Sequence, residues 1–281
     1  MNPVYILSAT RTAVGSFGGS LKDTSPIDLG THIAKSAIER SGVAADAIDH
    51  AVIGNVIHTE PRDMYVSRCI SIGAGMREGA PALTVNRLCG SGLQAIASAS
   101  QLIMLGDAEL ALAGGVEVMS RSGHIVPSLR WGERMGNADI HDMMLGALHD
   151  PFGIGHMGIT AENVAADYGI SREDQDAFAL ASQQRAKAAQ DAGYFDDQIT
   201  PVEIMVKRKP AVFDRDEYIR GDASMDQLEG LRTVFQKDGT VTAGNASGIN
   251  DGAAALVLAS GKAVESHGST PLARIIGYGF G

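Results

Sequence analysis

Apolar positions along this chain concentrate in short runs, separated by stretches whose apolar residues recur at helical spacing. Residues 4–9, 51–57, 82–85 and 110–113 are such runs and read as buried strands. Between the first two, Leu29, Ile33, Ala37 and Ile38 line one helical face. Ser25 is placed to cap that helix, Pro26 falls at its first position, Asp28 in its first turn, and Gly42 is a stop. After residue 85, the positions Leu93, Ile96, Ala97, Ser100 and Met104 mark one face of a second helix. Strands alternating with helices predict an α/β fold whose mixed, mostly parallel sheet is flanked by helices.

The alternation breaks near Ser120. From there to about Gly248 the chain is irregular and rich in Gly, Met, His and Pro, with helices between. The clearest helix starts at Ser171, has Asp174 at the capping-box position, and runs through Phe178, Leu180 and Ala181 to a stop near Gly193. So long an excursion from a compact sheet reads as a functional insertion. Residues 253–258 then return as an apolar strand, and a further strand starts at Ala273. A fresh strand so close to Gly281 gives the expectation of an interrupted protein.

Charge and composition narrow the function. The net charge is -10 with no basic run, which disfavours nucleic acid and anionic membrane surfaces as partners. Cys69 and Cys89 show no CxxC spacing and are too few for a disulfide framework, which fits a reducing compartment. No basic n-region precedes the first strand and no apolar stretch approaches a membrane span, so a cytoplasmic location is expected. His141, His149 and His156 match no zinc signature, and no metal is expected. The loop after the first strand is spaced G-x-x-G-G, not G-x-G-x-x-G, which argues against a dinucleotide.

Two stretches are candidates for chemistry. Residues 84–94 read as a strand end, a tight turn carrying Cys89, and the first turn of a small-residue helix. Gly90 and Gly92 leave room for a ligand. Free N–H groups at the helix start would stabilise an anionic, nucleophilic sulfur; a buried structural cysteine fits the local pattern equally well. Residues 242–248 form a run of small residues that could make an anion-binding nest or a tight connection back to the core. Met157 could face a ligand or fill a core gap.

Taken in order, these segments resemble the thiolase family over essentially the whole chain. The resemblance is carried by Arg11-Thr12 with Gly15 and Phe17-Gly18-Gly19, by Asn86-Arg87-Leu88-Cys89-Gly90-Ser91-Gly92, and by Gly114-Gly115-Val116-Glu117-Val118-Met119-Ser120. It continues through Met157-Gly158 with Thr160-Ala161-Glu162-Asn163, then Thr242-Ala243-Gly244-Asn245-Ala246-Ser247 with Asn250-Asp251-Gly252. Residues 60–65 and 143–150 look closest to the bacterial β-ketothiolases.

The resemblance implies a layered fold of two similar α/β halves with a loop domain inserted in the first. On that basis residues 1–118 and 250–270 are the N-terminal core half and 119–249 the coenzyme A-binding loop domain. Residues 271–281 are the start of a C-terminal half that is otherwise missing. It implies an acyltransferase in which Cys89 carries an acyl group while acyl-CoA and acetyl-CoA are joined to a 3-oxoacyl-CoA, or the reverse. Coenzyme A contacts carry over to Leu148, His156, Met157, Arg220, Phe235, Ala243 and Ser247. Arg215 flanks the same loop as Arg220. Coenzyme A thioesters are substrates, no separate cofactor is implied, and full-length members self-associate as dimers or tetramers.

The family's Gly-His-Pro, Cys-x-Gly and Asn-Glu-Ala-Phe segments do not occur in this sequence. The histidine activates the nucleophile, the second cysteine is an acid/base, and the asparagine holds a water at an oxyanion site. The 281-residue polypeptide is therefore expected not to turn over. Two other readings are a decarboxylating 3-oxoacyl synthase and a non-catalytic acyl-CoA or lipid-binding module on the same fold.

Overall fold

The structure, a computed structural model, describes residues 2–280 and divides into two compact units. The first comprises Met1–Arg121, Asp197–Arg215 and Asn250–Gly281, and the second Ser122–Asp196 and Asp216–Ile249. The chain opens with β1 (Val4–Arg11), β2 (Gly15–Ser16), α1 (Pro26–Ser41), β3 (His50–Gly54) and α2 (Val66–Gly73). It continues with β4 (Ala82–Val85), α3 (Ser91–Leu105) and β5 (Leu110–Val118). The second unit supplies β6 (His124–Ile125), β7 (His141–Asp142), α4 (Met143–Ala147), β8 (His149–Asp150), β9 (Gly155–His156), α5 (Met157–Tyr168) and α6 (Arg172–Asp191). Next come the hairpin β10 (Val202–Val206) and β11 (Lys209–Phe213), then α7 (Met225–Glu229). The chain closes with β12 (Asn250–Ser260), α8 (Gly261–His267) and β13 (Ala273–Ile275).

In the first unit the strands form one mixed sheet in the order β13-β1-β12-β5-β3-β4, with β2 paired to β12. Its balance differs from the mostly parallel sheet expected. Only β3–β4 and β3–β5 are parallel, while β1–β12, β1–β13, β2–β12 and β5–β12 are antiparallel. Parallel neighbours follow from short helical crossovers, as between β3, β4 and β5. β12 instead returns from a long excursion, free of that constraint, and enters antiparallel between β1 and β5. Ala273–Ile275 extends the same sheet as its edge strand beside β1.

Local chemistry explains the element ends. Ser25 Oγ accepts the Ile27 N–H at 3.2 Å, and α1 stops on Gly42 at φ 72°. Leu29, Ile33, Ala37 and Ile38 are all buried. β3 ends at Gly54, before the expected Ile57: the Asn55 N–H still reaches Val85 C=O at 3.2 Å, but the Glu117 carboxylate takes the two amides after it. It accepts from Val56 N–H at 2.9 Å and Ile57 N–H at 3.0 Å.

α3 departs from the expected face. Ala97 and Ser100 are buried, but Leu93 is 76% exposed and the core side centres on Ala95, Ala99 and Ile103. Those residues pack with Val4, Val52, Ala111 and Leu258. A helix so rich in alanine can bury more than one face, and spacing alone does not choose between them. The stretch Leu88–Leu105 is also long and apolar enough by composition to cross a membrane, contrary to the sequence reading. In this fold its alanine side serves the core.

The insertion expected over 119–249 is not continuous. Asp197–Arg215 returns to the first unit, where Thr200 N–H donates to Arg11 C=O at 2.8 Å and Arg11 N–H to Gln198 C=O at 3.0 Å. Arg40 Nη1 donates to Asp197 C=O at 2.6 Å.

Buried polar groups tie the second unit together. Ser171 and Asp174 form the expected capping box of α6, yet its one buried residue is Asp176 and Phe178 is 76% exposed. Asp176 accepts from Arg172 Nε at 2.6 Å and from Asn245 Nδ2 at 2.9 Å. Arg172 Nη2 donates in turn to Leu228 C=O at 2.6 Å. Glu162 on α5 accepts Thr240 N–H and Val241 N–H at 2.8 and 2.9 Å, and Thr240 Oγ1 at 2.9 Å.

Candidate active site

Cys89 lies between the end of β4 and the start of α3 and is exposed, whereas Cys69 on α2 is half-buried. The residue before it, Leu88, has φ 46°, in the left-handed region that non-glycine residues avoid. Side chains tie this turn. Asn86 Oδ1 accepts Leu88 N–H at 2.9 Å, Ser91 Oγ accepts Arg87 N–H at 2.8 Å, and the Ser91 hydroxyl donates to Leu88 C=O at 2.7 Å. The Gly90 N–H donates to Arg87 C=O at 3.0 Å. α3 opens on Gly90 with no side-chain cap. Its dipole therefore presents partial positive charge beside the thiol without a side-chain oxygen in the way.

The helix start is seated directly on the sheet. A Cβ on Gly54 would stand 2.7 Å from the Ser91 carbonyl carbon and 2.8 Å from Ser91 Cβ. Glycine at this strand end is what permits the approach. Nearby on β5, Glu117 is half-buried; desolvation pushes its carboxyl above the usual range, opposed by the bonds from Ile57 and Val56. Asn55 Nδ2 donates to Val116 C=O at 2.9 Å and completes this support. The positive φ at Leu88 and the roles of Ser91 and Glu117 were missed in the sequence. Glu117 sits in a quoted motif, but nothing in its spacing says that it terminates a neighbouring strand.

The other candidate residues all belong to the second unit, where they fall into separate groups. Leu148, His156, Met157 and Phe235 come together. Met157 N–H donates to Leu148 C=O at 2.8 Å, and the His156 ring stacks on Phe235 at 4.8 Å between centroids. His149 meets His156 edge-on at 5.1 Å. His156 caps α5, its Nδ1 accepting Gly158 N–H at 3.0 Å, which leaves Nε2 to carry the proton of the neutral ring. Burial first, and the neighbouring His149 second, lower its pKa. A Cβ on Gly158 would overlap the Phe235 ring, so glycine there admits the stacked pair.

Arg220 and Ala243 line a different feature, a pocket of about 380 Å³ with Gln183, Tyr218 and Gln227. Gln183 Oε1 accepts the Arg220 N–H at 2.7 Å, and the guanidinium lies 5.8 Å from the Tyr218 ring centroid. Ser247 is exposed and lines neither group. The small-residue run before it is tied by its own side chains, with Thr242 N–H on Asn245 Oδ1 at 2.7 Å and Gly244 N–H on Thr242 Oγ1 at 3.1 Å. Those amides are engaged internally, which suits a tight turn better than a nest. Among the described residues, no three His, Cys, Asp or Glu side chains gather as a metal site.

An exposed cysteine on a strained turn at an uncapped helix start has the access a cysteine nucleophile needs. The family described as Thiolase, N-terminal domain, matches residues 4–262. The beta-ketothiolase BktB of Cupriavidus necator is 55% identical over 277 residues, covering 98% of this chain and 70% of that protein. An acetyl-CoA acetyltransferase of Chromobacterium violaceum is 51% identical over 278 residues, 98% of this chain and 70% of that protein. Human mitochondrial 3-ketoacyl-CoA thiolase, solved in complex with CoA, superposes with a TM-score of 0.93 at 43% identity. The match covers 98% of this chain and 69% of the human one. The chain belongs to the thiolase family.

Proposed function

We propose that this chain is an acyl-CoA C-acyltransferase of the thiolase type, with Cys89 as the acyl carrier. The Cys89 sulfur, as thiolate, attacks the carbonyl carbon of an acyl-CoA thioester. The carbon–sulfur bond to coenzyme A breaks, and the departing thiolate takes up the proton that Cys89 released. A second acetyl-CoA then gives up a proton from its methyl carbon and attacks the acyl carbon; the carbon–sulfur bond to Cys89 breaks, the proton ends on the released Cys89 sulfur, and 3-oxoacyl-CoA leaves. Thiolysis is the same sequence reversed. The observation that carries this reading is the exposed thiol on the turn held by Asn86 and Ser91.

Coenzyme A recognition falls to the second unit. His156 and Phe235 offer a stacked wall with Leu148 and Met157 beside it, suited to the apolar parts of a pantetheine chain. Arg220, beside Tyr218 in its pocket, suits an adenine face or a phosphate. Ala243 is small enough to let the ligand lie close, and the exposed Ser247 hydroxyl can bond a pantetheine amide. Self-association as a dimer or tetramer and a cytoplasmic location complete the reading.

The residues present serve acyl transfer to Cys89. The histidine, second cysteine and asparagine segments with which the family completes condensation are not among them. The direct test mixes the protein with acetyl-CoA and follows release of free coenzyme A. Stoichiometric release is expected, abolished in Cys89→Ala; equal release by Cys89→Ala refutes the assignment.

A further inference from the structure

The turn that presents Cys89 is not one its sequence adopts unaided. Leu88 stands at φ 46°, where an L side chain crowds its own backbone, yet its side chain is 54% exposed and gains little burial in exchange. Something else fixes the turn. Ser91 is 5% exposed and seated on Gly54 of β3, and it grips the turn from inside. Its Oγ accepts Arg87 N–H at 2.8 Å and donates to Leu88 C=O at 2.7 Å, while its own N–H donates to the same carbonyl at 3.0 Å. The hydroxyl thus bridges the N–H of Arg87 and the C=O of Leu88, the two ends of the two-residue segment that contains the strained Leu88 α-carbon. It does not cap the helix, a position held by Gly90.

We propose that Ser91 is a positioning residue for acyl transfer: its hydroxyl clamps the Arg87–Leu88 backbone in the left-handed turn that holds the Cys89 sulfur at the start of α3. This rests on Cys89 being the nucleophile. Without the hydroxyl, the Arg87 N–H loses its acceptor and Leu88 relaxes toward negative φ, which rotates the following residue away from its attacking position. Misplacing a reacting atom by about an ångström slows a reaction on the order of 100-fold.

The test uses the full encoded chain and measures how fast acetyl-CoA acetylates Cys89, at saturation and as a function of concentration. Ser91→Ala is expected to slow acylation about 10- to 100-fold, with the half-saturating concentration of acetyl-CoA within about twofold of wild type. Leu88→Gly should restore most of that loss in the double variant, because glycine takes a positive φ without being held. A role in general folding would move the melting temperature and would not be repaired by a glycine at an exposed position.

If Ser91→Ala proves too unstable, Ser91→Thr against Ser91→Val compares side chains of one shape that differ in the hydroxyl. Threonine should acylate at least about tenfold faster, in line with the same positioning effect. Wild-type acylation by folded Ser91→Ala, no recovery in the double variant, or equal rates for threonine and valine would each overturn the proposal. Absence of any Cys89 adduct in the wild type would instead overturn the nucleophile reading.

Discussion

Replacing Glu162 by alanine probes how the second unit is held. The carboxylate is buried and accepts Thr240 N–H, Val241 N–H and the Thr240 hydroxyl, the three closest bonds being 2.8, 2.9 and 2.9 Å. The Thr240 hydroxyl can rotate toward another acceptor while its oxygen keeps the bond from Gln175 Nε2 at 2.9 Å, so its loss is the most easily absorbed. The two backbone amides have no other acceptor among the described residues. A hydrogen bond to a charged group contributes about 1.5–3 kcal/mol, so orphaning both costs about 3 kcal/mol or more. For a domain of this size that lowers the melting temperature by about 6–12 °C. Thermal denaturation with amide hydrogen exchange at Thr240 and Val241 is the assay, and protection at both should collapse before that of β5 and β12. The effect depends on pH. Burial pushes the Glu162 carboxyl up, but the bonds from Val241 and Thr240 outweigh it and hold the carboxyl below the usual range. A depressed folded pKa contributes stability that is fully present above the unfolded value, near 4.5, and lost as pH falls through the folded one. Wild type and Glu162→Ala should therefore differ most at neutral pH and converge in acid. A variant that melts within about 2 °C of wild type at pH 7, below the shift expected for even 1 kcal/mol, would refute the reasoning.

Three further outcomes follow from close contacts and charge. Gly54→Ala drives a Cβ into Ser91 and displaces the start of α3; overpacking costs about 1–3 kcal/mol, and acetylation of Cys89 should slow about 100-fold. Unchanged acylation would contradict the seating of the turn on β3. Gly158→Ala pushes Phe235 off His156. Losing a stack of about 0.5–1.5 kcal/mol should weaken coenzyme A binding about 2- to 10-fold by calorimetry, with alkylation of Cys89 by iodoacetamide unaffected. Protonation of His156, whose pKa is lowered by burial and by His149, breaks its acceptance of the Gly158 N–H. The stability this cap contributes should thus fade as pH drops below about 6.5, the ordinary histidine value, toward its depressed pKa; a His156→Ala variant equally sensitive to that drop would contradict it.

Much of this was legible in the sequence because local rules and tertiary packing agree. Ser25, Pro26 and Gly42 bound α1 as their chemistry dictates, and Ser171 with Asp174 starts α6. The strand runs were found because buried strands are continuous apolar stretches, and ordered motifs singled out the turn at Cys89. Strand direction was not legible: β12 arrives after a long excursion, and no periodicity encodes the way it enters. Nor did composition announce that Asp197–Arg215 would rejoin the first unit, since its anchors are backbone bonds to Arg11 and a side-chain bond from Arg40. The face of α3 was ambiguous because small residues pack on either side. In the site, residue types were visible but their holding was not. The strain at Leu88, the grip of Ser91 and the strand-ending bonds of Glu117 are contacts between segments, which one-dimensional spacing does not record. The coenzyme A residues came from family likeness, and their separation into the His156–Phe235 stack and the Arg220 pocket emerged only in three dimensions.

The central claim is that Cys89 takes the acyl group. Peptide mass spectrometry after brief exposure of the protein to acetyl-CoA addresses it without intermediaries, because the chain offers one internal control thiol, the half-buried Cys69. The account predicts a single acetyl adduct, on the peptide containing Cys89, that disappears in Cys89→Ala. An adduct on Cys69, or one that persists in Cys89→Ala, would contradict it.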